Sequence, residues 1–321
     1  MTLLSSVSPS TLRSGQLSTA LLTDHYELTM VRAALRSKTA LRRSVFELFA
    51  RRLPEGRRYG IVAGAGRAMD AIQAFRFDEE QLNFLLEQNV IDTDLADWLS
   101  RYKFKGNIWG YPDGEAYFPG SPLLIVEGTF AEAVILETVL LSIYNYDCAV
   151  ASAASRMTAM AGDRPCIEMG SRRTNESAAV AAARAAYIAG FQATSNLEAG
   201  RTYGIPTTGT AAHSFTLLHD TEEDAFKAQL KTLGKGTTLL VDTYDIEEAV
   251  RTGVRLSKGK LGAIPSALPS RIPSAGRSAM LTWRWLSESE RVVCATQALG
   301  PATECSYACP TALISCGLTI P

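Results

Sequence analysis

The run Gly204-Ile-Pro-Thr-Thr-Gly-Thr-Ala-Ala-His-Ser-Phe-Thr-Leu-Leu-His-Asp220 holds His213 and His219, two of the three histidines in the chain; the other is His25. A strand-like stretch, Ile205 to Thr208, gives way at Gly209-Thr210 to two alanines, then His213 and Ser214. An imidazole just past a strand, behind residues small enough to let a ligand approach, suits a nucleophile or general base near neutral pH. Taken alone, the segment reads more readily as a histidine bonded within its own loop.

The same arrangement recurs on either side. From Pro165 the texture becomes strand, polar turn, helix. Cys166 to Gly170 reads as a short buried strand ending in Ser171-Arg172-Arg173. Thr174 and Asn175 cap an Ala-rich helix to Ile188, with Val180, Ala183, Tyr187 and Ile188 on one face, and Gly190 stops it. A strand over 191–195 ends in Ser195-Asn196. The strand over 205–208 leads to Thr210 and His213. Asp220 to Glu223 opens a helix over 221–231, and a strand over Thr237–Val241 ends in Asp242-Thr243, before a helix from Ile246 to Thr252. In parallel α/β barrels the C-terminal strand ends carry the active site. Arginines at such an end suit phosphate, because a guanidinium fork makes two charge-assisted bonds.

Other elements precede this repeat. Residues 1–17 are Ser-rich and expected to be disordered. Asp24 caps a helix from His25, with Glu27 in its first turn, Tyr26 near its N-terminal end, and Leu28, Val31, Ala34 and Leu35 as the buried stripe. Ser44 to Phe49 alternates as a strand does. Gly60, Gly64 and Gly66 are spaced GxxxGxG, which is neither a dinucleotide fingerprint nor a P-loop, and read as packing and helix-start glycines. Arg51, Arg52, Arg57 and Arg58 read as a solvated basic face. Short helices over 78–86 and 92–102 and antiparallel β structure to about 130 complete an α+β domain over 18–130. Two helices, Ala131–Tyr146 and Cys148–Ala161, lead into the core over 131–263. The fold class is therefore α/β: an N-terminal α+β domain, then a partial, incomplete TIM-like barrel and an irregular C-terminal tail.

Bulk composition excludes several classes. Across 321 residues the net charge is −1, hydrophobic residues are 46% and charged residues 20%, which gives no general attraction to nucleic acid or anionic membranes. The apolar run Ala133–Ala161 contains Glu137, Asp147 and Arg156 and reads as core rather than as a membrane span. Six cysteines without a CxxC pair argue against zinc, so no metal ligand set is expected. The N-terminal stretch has no apolar core of signal-peptide length, and a cytoplasmic, reducing setting is expected.

TDHYELTM, FELFARRLPEGRRYGIVAG, FPGSPLLIVEGTF, EMGSRR, ATSNLEAG, GTAAHSF and LLVDTYD, spread over roughly residues 20–262, resemble nicotinate phosphoribosyltransferase. That resemblance implies joining nicotinate to the ribose of phosphoribosyl pyrophosphate (PRPP). The products are pyrophosphate and nicotinate mononucleotide for NAD biosynthesis, in a step coupled to ATP hydrolysis, with Mg²⁺ on the pyrophosphate. It implies that His213 is the transiently phosphorylated histidine, and that Tyr26 lies against the pyridine ring, often from the partner of a homodimer. It further implies that Thr210 contacts nicotinate and that Arg172 serves the base and phosphate region, with Arg173 a further phosphate contact. Ser195 stands where amide-using relatives have an acid, which fits a carboxylate substrate because like charges repel.

The resemblance stops near Gly262-Ala263. The family continues with an Asp-Ser-Gly-Asp strand and glycine-rich phosphate loops. Residues 264–321 instead hold Pro265, Pro269, Pro273, Pro301, Pro310 and Pro321 and the cysteines 294, 305, 309 and 316, without periodicity. The expectation is a tail translated out of frame or truncated, with impaired PRPP turnover. The alternatives are a catalytically inactive fragment acting as a dimer partner, or a related pyridine-base phosphoribosyltransferase.

Overall fold

In the computed structural model, residues 18–261 are described in full, and Thr2–Leu3, Cys294–Thr296 and Ile314–Thr319 by backbone course alone. Most of the expected disordered segment 1–17 and of the tail 264–321 lies outside the described residues. The chain divides into two compact units, residues 1–152 with 309–321, and residues 153–308.

The first unit runs β1 (Thr2–Leu3), α1 (His25–Arg36), β2 (Arg43–Ala50), β3 (Gly60–Ile61), α2 (Ala65–Ala74), α3 (Glu79–Glu87), α4 (Thr93–Ser100), β4 (Asn107–Gly110), β5 (Ala116–Tyr117), β6 (Pro122–Thr129), α5 (Phe130–Val134) and most of α6 (Glu137–Ala161). As the sequence predicts, Asp24 caps α1 with Glu27 in its first turn; beyond that expectation, the two side chains form a capping box. Asp78 and Gln81 form a capping box at α3, and Asp92 caps α4 by accepting from the Leu95 N–H. The strands β1, β4, β6 and β2 are adjacent in that order and antiparallel. The alternation of β2 places Phe46 and Leu48 in a core with Leu28, Val31, Leu124, Val126 and Leu140. Each such side chain stabilises the unit by about 1.5–3 kcal/mol. Gly64 has the expected helix-start role. It caps α2 at φ +107°, and a Cβ there would stand 3.0 Å from Ile143 and 3.3 Å from Asp147.

The second unit begins within α6 and continues through β7 (Cys166–Glu168), a 3₁₀ turn at Ser171–Arg173, α7 (Glu176–Ile188), β8 (Ala193–Thr194), α8 (Leu197–Tyr203), α9 (His213–Leu217), α10 (Glu222–Leu233) and α11 (Ile246–Ser257). β7 and β8 are parallel, with Glu168 opposite Thr194, and Thr194 forms a further parallel bridge with Thr207. Beyond these lie β9 (Cys294–Thr296), parallel to β7 in this unit, and β10 (Ile314–Thr319), antiparallel to β2 in the first.

The structure corrects the sequence reading in five places. The expected helix break at Asp147 is absent: α6 is continuous and the break falls at Ile135-Leu136. Asp147 stays inside the helix, fully buried, because Arg67 Nη1 donates to it at 2.5 Å. The strand expected over 191–195 is only two residues long, and that over 205–208 only a bridge at Thr207. Thr237–Val241 forms no strand; Leu239 and Val241 are instead buried with Phe226, Ala249 and Val250 of α10 and α11. Finally, alanines 179, 181, 183, 185 and 186 form the buried face of α7, while Tyr187 is 43% exposed. An all-alanine face lets neighbours come close, so the larger side chains turn outward. The fold is mixed α/β.

Candidate active site

His213 is the first residue of α9, and its ring is 52% exposed. Its Nδ1 lies 3.2 Å from Thr243 Oγ1, and its Nε2 3.9 Å from Asp242 Oδ1. The Asp242 side chain is 5% exposed. An accessible imidazole therefore has a hydroxyl on one side and a buried carboxylate on the other. Such a carboxylate favours the ring whenever the ring gains positive charge. Glu222, at the start of α10, belongs to the same electrostatic setting. Burial, then the charges of Asp245 and Asp242, hold its carboxyl above the usual carboxylate range. The other histidines are used differently. His219 Nδ1 meets the Phe215 carbonyl at 2.8 Å and its ring packs edge-on to Phe215, whereas His25 is exposed at the start of α1.

A second cluster joins the ends of β7 and β8. Glu168, 7% exposed, accepts from the Gly170 N–H and from Thr194 Oγ1, the latter at 2.6 Å. Thr194 Oγ1 in turn accepts from Asn196 N–H at 3.0 Å, and Asn196 Nδ2 donates to Ser171 Oγ at 3.1 Å. The Ser195 N–H donates to the Glu168 carbonyl at 2.8 Å. This network fixes the backbone from which Ser195, Arg172 and Arg173 project. Both arginines are exposed, and among the described residues neither meets a carboxylate. The parallel register Glu168–Thr194–Thr207 makes the segments carrying Arg172, Ser195 and Thr210 leave from one edge. Thr210 is half-buried and its hydroxyl donates to the Ala211 carbonyl at 3.0 Å.

Thus the structure groups Ser195 with the Arg172 turn, and His213 with Asp242 and Thr243. Among the described residues no hydrogen bond or ion pair joins the two groups. Tyr26 belongs to the first unit. It is 45% exposed, and its N–H donates to Asp24 Oδ1 at 3.4 Å. Burial, then the negative charges of Glu137 and Glu27, push its hydroxyl up to about 12. Sequence reasoning gave no role to Glu168, although an acid inside an apolar strand two residues before Gly170-Ser-Arg-Arg was a signal. Asp242 and Thr243 were visible only as polar residues after an apolar run.

A family described as the nicotinate phosphoribosyltransferase (NAPRTase) N-terminal domain matches residues 21–145. Nicotinate phosphoribosyltransferase pncB1 of Mycobacterium tuberculosis (strain ATCC 25618 / H37Rv) is 57% identical over 252 residues, 76% of this chain and 56% of that protein. The nicotinate phosphoribosyltransferase of Bacillus subtilis (strain 168) is 34% identical over 276 residues, 81% of this chain and 56% of that protein. The chain thus spans about half the length of the curated relatives it matches. The crystal structure of human nicotinic acid phosphoribosyltransferase superposes with a TM-score of 0.66 at 25% identity, covering 76% of this chain and 60% of that one. A nicotinate-nucleotide pyrophosphorylase from Pyrococcus furiosus shares the fold, with a TM-score of 0.63 at 22% identity over 84% of this chain and 62% of that one. The matched N-terminal region, the 57% identity and the fold agree, and the chain belongs to the nicotinate phosphoribosyltransferase family.

Proposed function

We propose that the chain forms nicotinate mononucleotide and pyrophosphate from nicotinate and PRPP, with ATP hydrolysis coupled through a phosphorylated His213. The observation that carries this reading is the His213 ring, open to solvent between the Thr243 hydroxyl and the buried Asp242 carboxylate. An uncharged ring nitrogen attacks the γ-phosphorus of ATP, the bond to the β–γ bridging oxygen breaks, and ADP leaves. Asp242 offsets the positive charge that the ring acquires. Arg172 and Arg173 supply guanidinium forks for phosphate or carboxylate oxygens. Thr210 contacts the base, Ser195 leaves its carboxylate unopposed, and Tyr26 from the partner of a homodimer lies against the pyridine ring. Glycosyl transfer through an oxocarbenium-like state then depends on positioning and charge stabilisation.

Successive parallel segments at β7, β8 and Thr207, separated by α7 and α8, support an incomplete TIM-like barrel over 131–263 as the scaffold. Among the described residues no group of three or more His, Cys, Asp or Glu side chains is arranged to hold an ion. Mg²⁺ enters this reading as the counter-ion that PRPP and ATP bring with them. A homodimer and a cytoplasmic setting go with the same reading; Cys148 and Cys166 are both buried. A second reading, an inactive chain kept as an interaction partner, is favoured by Leu217, Leu218 and Leu233, which are 62%, 78% and 62% exposed. Nicotinate mononucleotide formation from nicotinate, PRPP and ATP decides between them. The first reading expects product that requires His213, lost in His213→Ala; the second expects none from either chain.

A further inference from the structure

Glu27 follows Tyr26 in the first turn of α1, and its side chain is 0% exposed. Burying a carboxylate costs several kcal/mol unless every oxygen is bonded. Here both are. Oε2 accepts from the Thr23 hydroxyl and, at 3.2 Å, from the Asp24 N–H. Oε1 accepts from the Thr138 N–H at 2.9 Å and from the Thr138 hydroxyl at 2.7 Å. One oxygen therefore closes the start of α1 and the other takes the first turn of α6, 111 residues away in sequence. A leucine would fill the same space without a buried charge, so packing alone does not account for an acid here.

Tyr26 stands on the same first turn of α1, where its N–H donates to Asp24 Oδ1 at 3.4 Å. The negative charge of Glu137, in the first turn of α6, also reaches its hydroxyl. We infer that Glu27 is a positioning residue, a clamp between the first turns of α1 and α6 that fixes the turn from which the Tyr26 ring projects. Its relevance to nicotinate rests on the proposed function; the clamp itself does not. Glu27→Gln keeps the shape but replaces two acceptor lone pairs with donors, which face N–H and hydroxyl donors.

The test places 3-fluorotyrosine at position 26 of the full chain and, in a separate sample, at position 102. Tyr102 is buried in the same unit, with its hydroxyl donating to the Glu132 carbonyl at 2.8 Å. In Glu27→Gln the ¹⁹F resonance at position 26 is expected to move most of the way to its unfolded-chain position, while that at 102 stays. Thr23→Val, which removes one donor and leaves Tyr26 untouched, should move it the same way by less. An unmoved position-26 resonance in Glu27→Gln overturns the inference. If Glu27→Gln also loses the position-102 signal, an unmoved resonance in Thr23→Val overturns it instead. Equilibrium dialysis of nicotinate supplies the second arm. Glu27→Gln should weaken binding about tenfold, the worth of one aromatic stacking contact, as Tyr26→Ala should. A parent chain that binds no nicotinate, with the position-26 resonance still responding, refutes the role of Tyr26 toward the base and leaves the clamp standing.

Discussion

Replacing Asp242 with asparagine keeps the shape of the side chain and removes the charge 3.9 Å from His213 Nε2. Whichever ring nitrogen attacks a phosphoryl group, the imidazole gains positive charge as the bond forms, and the lost carboxylate no longer offsets it. A unit pair near 4 Å is worth about 1 kcal/mol in water and about 4 kcal/mol at the effective dielectric near a protein surface. The ring is 52% exposed, which places the effect toward the lower figure. A loss of about 1.4 kcal/mol corresponds to a tenfold slower phosphorylation step. The assay is the initial rate of acid-labile, base-stable label from [γ-³²P]ATP, with His213→Ala as the blank and thermal melting as the check that Asp242→Asn is folded. Label appearing on His213 at the parent rate in a folded Asp242→Asn chain would refute the charge argument.

Three further outcomes follow from particular contacts. The raised carboxyl of Glu222 gives stability that is fully present below the ordinary carboxylate pKa and declines as pH rises through the raised value. Glu222→Gln should therefore raise the melting temperature near pH 7 relative to the parent and change little near pH 4. Arg67→Met removes the partner at 2.5 Å from the fully buried Asp147 and should cost about 3 kcal/mol in urea unfolding. Gly64→Ala forces a side chain into φ +107° beside Ile143 and Asp147 and should cost about 1–3 kcal/mol by the same measurement.

Local signals in the sequence were read well where the determinant was itself local. The Asp24–Glu27 box, the Asp78 and Asp92 caps and the Asn175 cap each act within a few residues, so the helices they start were legible. The continuity of α6 was not, because Asp147 is paired with Arg67, 80 residues away. Thr237–Val241 has the apolar composition of a strand, but its burial comes from α10 and α11, which no local pattern announces. His213 stood out by rarity and by the small residues before it. Its relation to Asp242 and Thr243 depends on a return of the chain 30 residues later. Glu168 and Glu27 looked like ordinary acids because their donors, Thr194 and Thr138, come from distant segments.

The most direct test is to incubate the purified chain with ATP and map the modified residue by mass spectrometry under conditions that preserve phosphohistidine. The account predicts one added phosphoryl group on the peptide containing His213, absent from His213→Ala. An unmodified His213 after incubation of the folded chain, or label residing on another residue, would contradict it.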